Sequence, residues 1–121
     1  MSIIDSKMTL TLTDKLIMTD RKLLSFVSGT TVYSFDIYAN ALTHTIILTM
    51  PTISGAVCTA TLSIENSNGE EIYASASTLA EATVHVLSTE KPLIGKNTVK
   101  VTLSTDPLSS ASCYVTMYLQ G

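Results

Sequence analysis

Apolar and polar residues alternate along most of this chain with a period of two. Met8, Leu10 and Leu12 alternate with Thr9, Thr11 and Thr13, and Tyr33, Phe35 and Ile37 with Ser34 and Asp36. Ile46, Leu48 and Met50 alternate with Thr45, Ile47 and Thr49, and Val84 and Val86 with Thr83, His85 and Leu87. Val99, Val101 and Leu103 alternate with Thr98, Lys100 and Thr102, and the run Cys113 to Leu119 alternates with Tyr114, Thr116 and Tyr118. Successive side chains of a strand point to opposite faces, so this pattern predicts β-strands. They are expected near 8–13, 23–27, 31–39, 43–50, 56–65, 70–76, 82–88, 97–104 and 111–119.

Turn formers separate these runs: Ser28-Gly29, Asn40, Ser54-Gly55, Asn68-Gly69, Gly95-Lys96-Asn97 and Asp106-Pro107. Thr78-Leu79-Ala80-Glu81 has capping-box spacing, but the β-branched run Thr83 to Val86 behind it allows one helical turn at most. The expected fold is all-β, an antiparallel β-sandwich or jelly roll of about eight or nine strands. Residues 8–121 are expected to form one domain. Met1, Ser2, Ile3, Ile4, Asp5, Ser6 and Lys7 carry a weaker pattern and are expected to form a flexible or reaching N-terminal arm.

The hairpin Thr59 to Ala74 raises the first question of function. Pairing Ile64 with Ile72, Leu62 with Ala74 and Ala60 with Ala76 leaves Ser67-Asn68-Gly69 as the loop, with Gly69 at the left-handed position of a G1 bulge. The same register sets Glu65 opposite Glu71, a repulsion worth a few tenths of a kcal/mol, roughly. A cation or a basic partner would relieve it. An EF-hand is excluded, because its first ligand would be Ile64. A solvated turn is favoured over a looser calcium site.

Composition narrows the function classes. The chain has 121 residues, 45% hydrophobic and only 14% charged, with a net charge of -3. Ser and Thr make up roughly a quarter of it. A surface of hydroxyls rather than charges often lies against something. Lys and Arg are scattered, which speaks against nucleic acid, and no apolar run approaches a bilayer span. The start MSIIDSKMTL shows no secretory signal, so synthesis in a cytoplasm is expected. Cys58 and Cys113 fall on the inward phase, as buried free thiols by default, with a bridge between sheets as the alternative.

Catalytic signals are sparse. His44 is in phase with Ile46 and Leu48 and is expected at the edge of the core; His85 falls on the polar phase. Neither has Cys, Asp or Glu at ligand spacing, and no nucleophile elbow, phosphate loop or dinucleotide fingerprint occurs. The chain is expected not to be an enzyme and to hold no cofactor or metal. Tyr114 and Tyr118 share the outward face of the last strand, and Tyr38 and Tyr73 also fall off the inward phase. They are candidates to stack on a sugar or to pack against a subunit.

Ala60 to Asn66, Gly69, Ile72-Tyr73, Thr83 to Val86, Lys91-Pro92-Leu93-Ile94-Gly95, Thr98 to Ser104 and Tyr118-Leu119-Gln120-Gly121 follow one another in an order that resembles small β-sandwich virion proteins of tailed bacteriophages. These include head decoration and auxiliary structural proteins. The resemblance covers roughly the last two-thirds of the chain. Asp106-Pro107-Leu108-Ser109-Ser110 departs from the usual glycine-rich last turn. The resemblance implies a capsid decoration or cement protein that binds the major capsid protein in the virion. It also implies a homo-oligomer, a trimer by preference, with the arm 1–7 as capsid or subunit contact. A carbohydrate-binding adhesin module of a tail or head fibre and a tail or connector subunit are the alternatives.

Overall fold

The computed structural model describes residues 16–120. They form nine strands: β1 (Leu16–Met18), β2 (Lys22–Phe26), β3 (Val32–Thr49), β4 (Thr59–Glu65), β5 (Glu71–Ala74), β6 (Leu79–Ala80), β7 (Val84–Ser88), β8 (Pro92–Leu103) and β9 (Ala111–Gln120). Every pairing is antiparallel. The strand expected at 8–13 and the arm at 1–7 lie outside the described residues.

The 18-residue β3 is the axis. Along one of its edges run β7, against Thr45–Thr49, and then β8, against Val32–Leu42. Along its other edge runs β9, against Leu42–Thr49 only. One sheet half is therefore β7, the second half of β3, β9 and the short β1 and β2. The other half is the first half of β3, then β8, β4 and the short β5 and β6. Leu24, Phe26, Ile46, Leu48, Cys113, Val115 and Met117 of the first half are buried, and so are Ala60, Leu62, Ile64, Val99, Val101 and Leu103 of the second. An open sheet leaves one face wet, so the two halves cover each other as a β-sandwich.

What bends β3 from one half into the other is a bulge. Thr43 pairs with Leu119 and Thr45 with Tyr118, leaving His44 as the extra residue. An extra residue exchanges the two faces of a strand. Before it the core-facing residues of β3 are odd: Tyr33, Phe35, Ile37, Ala39, Ala41 and Thr43. After it they are even: Ile46 and Leu48. The opposite strand kinks at the same level, where Thr89–Lys91 links β7 to β8 and Glu90 takes φ 51°. Thr43 clamps the two kinks together. Its backbone N–H donates to Lys91 O at 2.8 Å, and its buried Oγ1 accepts from Lys91 N at 2.7 Å.

Several expectations change. Asn40 does not end a strand. Its Oδ1 accepts from Gly95 N at 3.2 Å across the ribbon, so the two strands expected at 31–39 and 43–50 are one. Gly95-Lys96-Asn97 is likewise no turn: β8 runs through it, with Gly95 at φ 68° and the Asn97 side chain donating to Gly95 O at 3.1 Å. His44 is exposed rather than at the core edge, because the bulge reverses its phase. His85 and Leu87 take the half-buried side of β7, leaving Val84 and Val86 outside. Thr78–Glu81 forms no helical turn; Leu79–Ala80 pairs with Thr59–Ala60.

The packed inner faces carry the stability. Leu62 is buried on β4 between strands of the second half. Leu62→Ala is expected to lower unfolding free energy by about 2–5 kcal/mol in a urea titration, through lost burial and the cavity left behind.

Candidate functional site

The register of β7, β3, β9, β2 and β1 lays out one outer face residue by residue. Its first row is Val84, Thr49, Tyr114 and Leu23. The second is Val86, Ile47 and Thr116, and the third Ser88, Thr45, Tyr118 and Met18. Not one of these residues is charged. Val86 is 66% exposed, Val84 59%, Met18 62% and Leu23 54%. Single exposed apolar residues are ordinary, but a contiguous field of them marks a contact surface.

The outer face of the other half is built differently. Its rows are Val32, Thr102 and Thr61; Ser34, Lys100 and Ser63; Asp36, Thr98 and Glu65; then Tyr38 and Lys96. Charges meet there in pairs. Lys100 Nζ lies 2.8 Å from Glu65 Oε2, and Lys96 Nζ 3.7 Å from Asp36 Oδ2. Thr98 Oγ1 also donates to Asp36 Oδ1 at 3.0 Å. This is a surface that water satisfies, whereas the first face offers water little.

Tyr114 and Tyr118 share the uncharged face, as the period of β9 requires, and both are half-buried. The Arg21 guanidinium lies over the Tyr114 ring, 3.6 Å from its centroid, a cation–π contact. Tyr38 stands out on the opposite face at 73% exposure. Tyr73 instead packs against the core, and burial raises its phenol pKa. Sequence reasoning missed Val84, Val86, Ile47, Leu23 and Met18 as members of the face. Only the pairing of four strands assembles them.

The hairpin tip is a structural turn. Asn66 N donates to Glu70 O at 2.9 Å and Gly69, at φ 82°, donates to Asn66 O at 3.0 Å, so Ser67-Asn68-Gly69 is the loop. Glu65 does face Glu71. Behind it the register differs from the expected one: Ile64 pairs with Tyr73 and Ser63 with Ala74, with the irregularity next to Ile64. That shift is what turns Tyr73 inward. The basic partner that relieves the two glutamates is Lys100 of β8. Among the described residues no cluster of three or more His, Cys, Asp or Glu could hold a metal ion.

Other carboxylates serve the backbone. Glu81 accepts from Ile53 N at 3.2 Å and Cys58 N at 3.1 Å, tying down the loop before β4. Asp106 accepts from Gly29 N at 3.0 Å and Leu108 N at 2.9 Å. Those backbone donors hold its carboxyl below the usual carboxylate pKa. His85 Nε2 lies 2.8 Å from Ala80 O. Cys58 and Cys113 are buried free thiols. Burial pushes the Cys113 thiol up to about 12. Burial, then the nearby Glu81 charge, raises Cys58, whose Sγ donates to Thr105 O at 3.4 Å.

No family model and no curated protein matches the chain. Solved structures that resemble it include a carbohydrate-binding module, CBM36, in complex with calcium and xylotriose. The two share 18% identity with a TM-score of 0.43, over 88% of this chain and 91% of the module. An arabinose-bound α-L-arabinofuranosidase resembles it at 13% identity and TM-score 0.42, over 87% of this chain but 22% of the enzyme. A structure of infectious bursal disease virus, Gx strain, does so at 13% identity and TM-score 0.38, over 88% of this chain and 32% of that one. Likeness at this level is one of fold.

Two measurements follow from these contacts. Asp106 has a depressed pKa in the fold, so its contribution is complete above the unfolded carboxylate value of about 4 and is lost as pH falls through the lower folded value. Hydrogen exchange at Gly29 and Leu108 should quicken below that value, and Asp106→Asn should reproduce the loosening at neutral pH. Neither thiol should react with Ellman's reagent at about pH 8 in the native protein, and both should react in denaturant.

Proposed function

We propose that this chain is a non-catalytic structural protein of a tailed-bacteriophage virion, a head decoration or cement protein that works by surface contact. The observation that carries the reading is the uncharged outer face built from Val84, Val86, Ile47, Thr116, Tyr114, Tyr118, Leu23 and Met18. Its counterpart on the other half is laced with ion pairs, so the molecule has one side suited to solvent and one suited to a partner. The carboxylates and histidines that could suggest catalysis are engaged with backbone groups or stand exposed.

The partner is the major capsid protein, met on the head surface together with neighbouring copies of this chain, three at a time. Each copy buries a modest area. Many copies on one lattice bridge neighbouring capsomers and act by multivalency. The arm Met1 to Lys7 adds a second attachment. Assembly takes place in the host cytoplasm, without nucleic acid or membrane as partner. A sugar-binding role has weaker support, because Arg21 already lies over the Tyr114 ring.

Quantitative mass spectrometry of purified particles tests this. Copies on the order of hundreds, in simple ratio to the major capsid protein, are expected of a lattice-bound protein. A dozen or fewer, roughly, would indicate a tail or connector subunit. Val86→Asp should change stability by no more than about 0.5 kcal/mol, since the side chain is exposed. It should nevertheless remove the protein from particles. Wild-type occupancy by this variant would sink the outer-face reading.

A further inference from the structure

The first half of β3 has a vacant edge. From Ser34 to Ala41 its backbone pairs with β8 and, among the described residues, with no other strand. This edge holds no proline and one charge, Asp36, which is already bonded to Thr98. Such a bare edge is a template for pairing, and proteins do not usually leave one open. Phe35, Ile37, Ala39 and Ala41 pack against the core yet remain only partly buried. They lack a neighbour on the side where the edge is vacant.

The vacancy begins where β9 stops. Gln120, the last residue of β9, pairs with Leu42 on one side and with Leu16 on the other. Because β1 and β3 are both antiparallel to β9, they run in the same direction. The chain upstream of Leu16 therefore heads past the end of β9, alongside the earlier residues of β3. One sideways step of about 4.8 Å, the spacing between strands, brings it into the row that β9 vacates. A groove of about 340 Å³ lies at this point, lined by Asn40, Ala41, Leu42, Pro92, Leu93 and Gln120 among others.

We propose that this edge is filled by the chain's own residues 8–13, the segment that ends at Leu16 beside Gln120. Residue by residue, a strand leading back from Leu16 at the level of Leu42 sets Lys15 near Ala41 and Met8 near Ser34. The segment 8–13 thus matches the length of the vacancy. Its alternation of Met8, Leu10 and Leu12 with threonines suits a strand with one dry face. It runs parallel to β3, the one parallel pair in the sheet, as mixed sheets allow at a boundary. Residues 1–7 are then delivered at the Val32 end of β3. They come out on the side away from β1, which gives the arm a defined exit.

Hydrogen exchange on the full chain tests the placement. Alternate amides from Ser34 to Ala41, those not bonded to β8, should be protected. Leu10→Pro removes a ladder donor and should speed their exchange about tenfold or more, while amides of β4 and β9 keep their protection. Loop-like exchange of these amides in the wild type, or protection unchanged by Leu10→Pro, overturns the proposal. A second measurement does not depend on that variant folding. A nitroxide on Thr11→Cys should broaden the amide signals of Ser34–Ala41, the two native thiols being buried. Broadening that persists when the labelled chain is diluted into excess unlabelled chain supports docking on its own edge. Broadening lost on dilution shows that the segment crosses to a second copy, and overturns the proposal. Absent broadening overturns it as well.

Discussion

The fold depends on one change of phase, at His44. A straight β3 would present the same face along its whole length, and its odd-numbered or its even-numbered apolar residues would be wet. The bulge lets Phe35 and Ile37 face the core in one half and Ile46 and Leu48 face it in the other. The buried Thr43–Lys91 clamp holds the kinks of both strands at the same level, so a single two-stranded ribbon supports both sheet halves. An unsatisfied hydroxyl or amide at that depth would cost about 1–3 kcal/mol, which is why the joint is made by a threonine bonded in both directions.

From the joint follows the difference between the two outer faces. The pairing of β7, β3 and β9 after the bulge brings valine, isoleucine, tyrosine and threonine into register on the outside. The pairing of β3, β8 and β4 before it brings Asp36, Lys96, Lys100 and Glu65 within reach of one another. Exposed ion pairs of this kind contribute only about 0–1 kcal/mol each to stability. Their larger effect is to keep that side solvated, which leaves the uncharged side as the one fitted for contact.

Polar groups elsewhere hold the connections in place. Glu81 fixes the segment before β4, Asp106 joins the turn at Gly29 to the turn at Leu108, and Lys100 balances the hairpin glutamates. Gly55 belongs to the same region: a Cβ there would come within 2.5 Å of Pro107 O, so the two loops meet only over a glycine. These residue types at these sites invite a search for catalysis or metal binding, and their hydrogen bonds account for them as braces.

Period-two alternation determined the strands, the all-β class and most of the core, because burial on one face of a strand is a local property of the sequence. The inward residues of β4, β8 and β9 were legible for that reason, as were the loop at Ser67-Asn68-Gly69 and the two buried thiols. The change of phase within 31–50 was legible too, but not its form. Asn40 reads as a turn former, and only the tertiary structure gives its side chain the amide of Gly95 to bond instead. The same limit applies to Tyr73, to His44 and His85, and to the contact face. Tyr114 and Tyr118 could be placed together from their spacing within one strand. Their union with Val84, Val86, Ile47, Leu23 and Met18 depends on which strands pair and in what register. Hydrogen bonds between distant segments set that, and no local pattern encodes it.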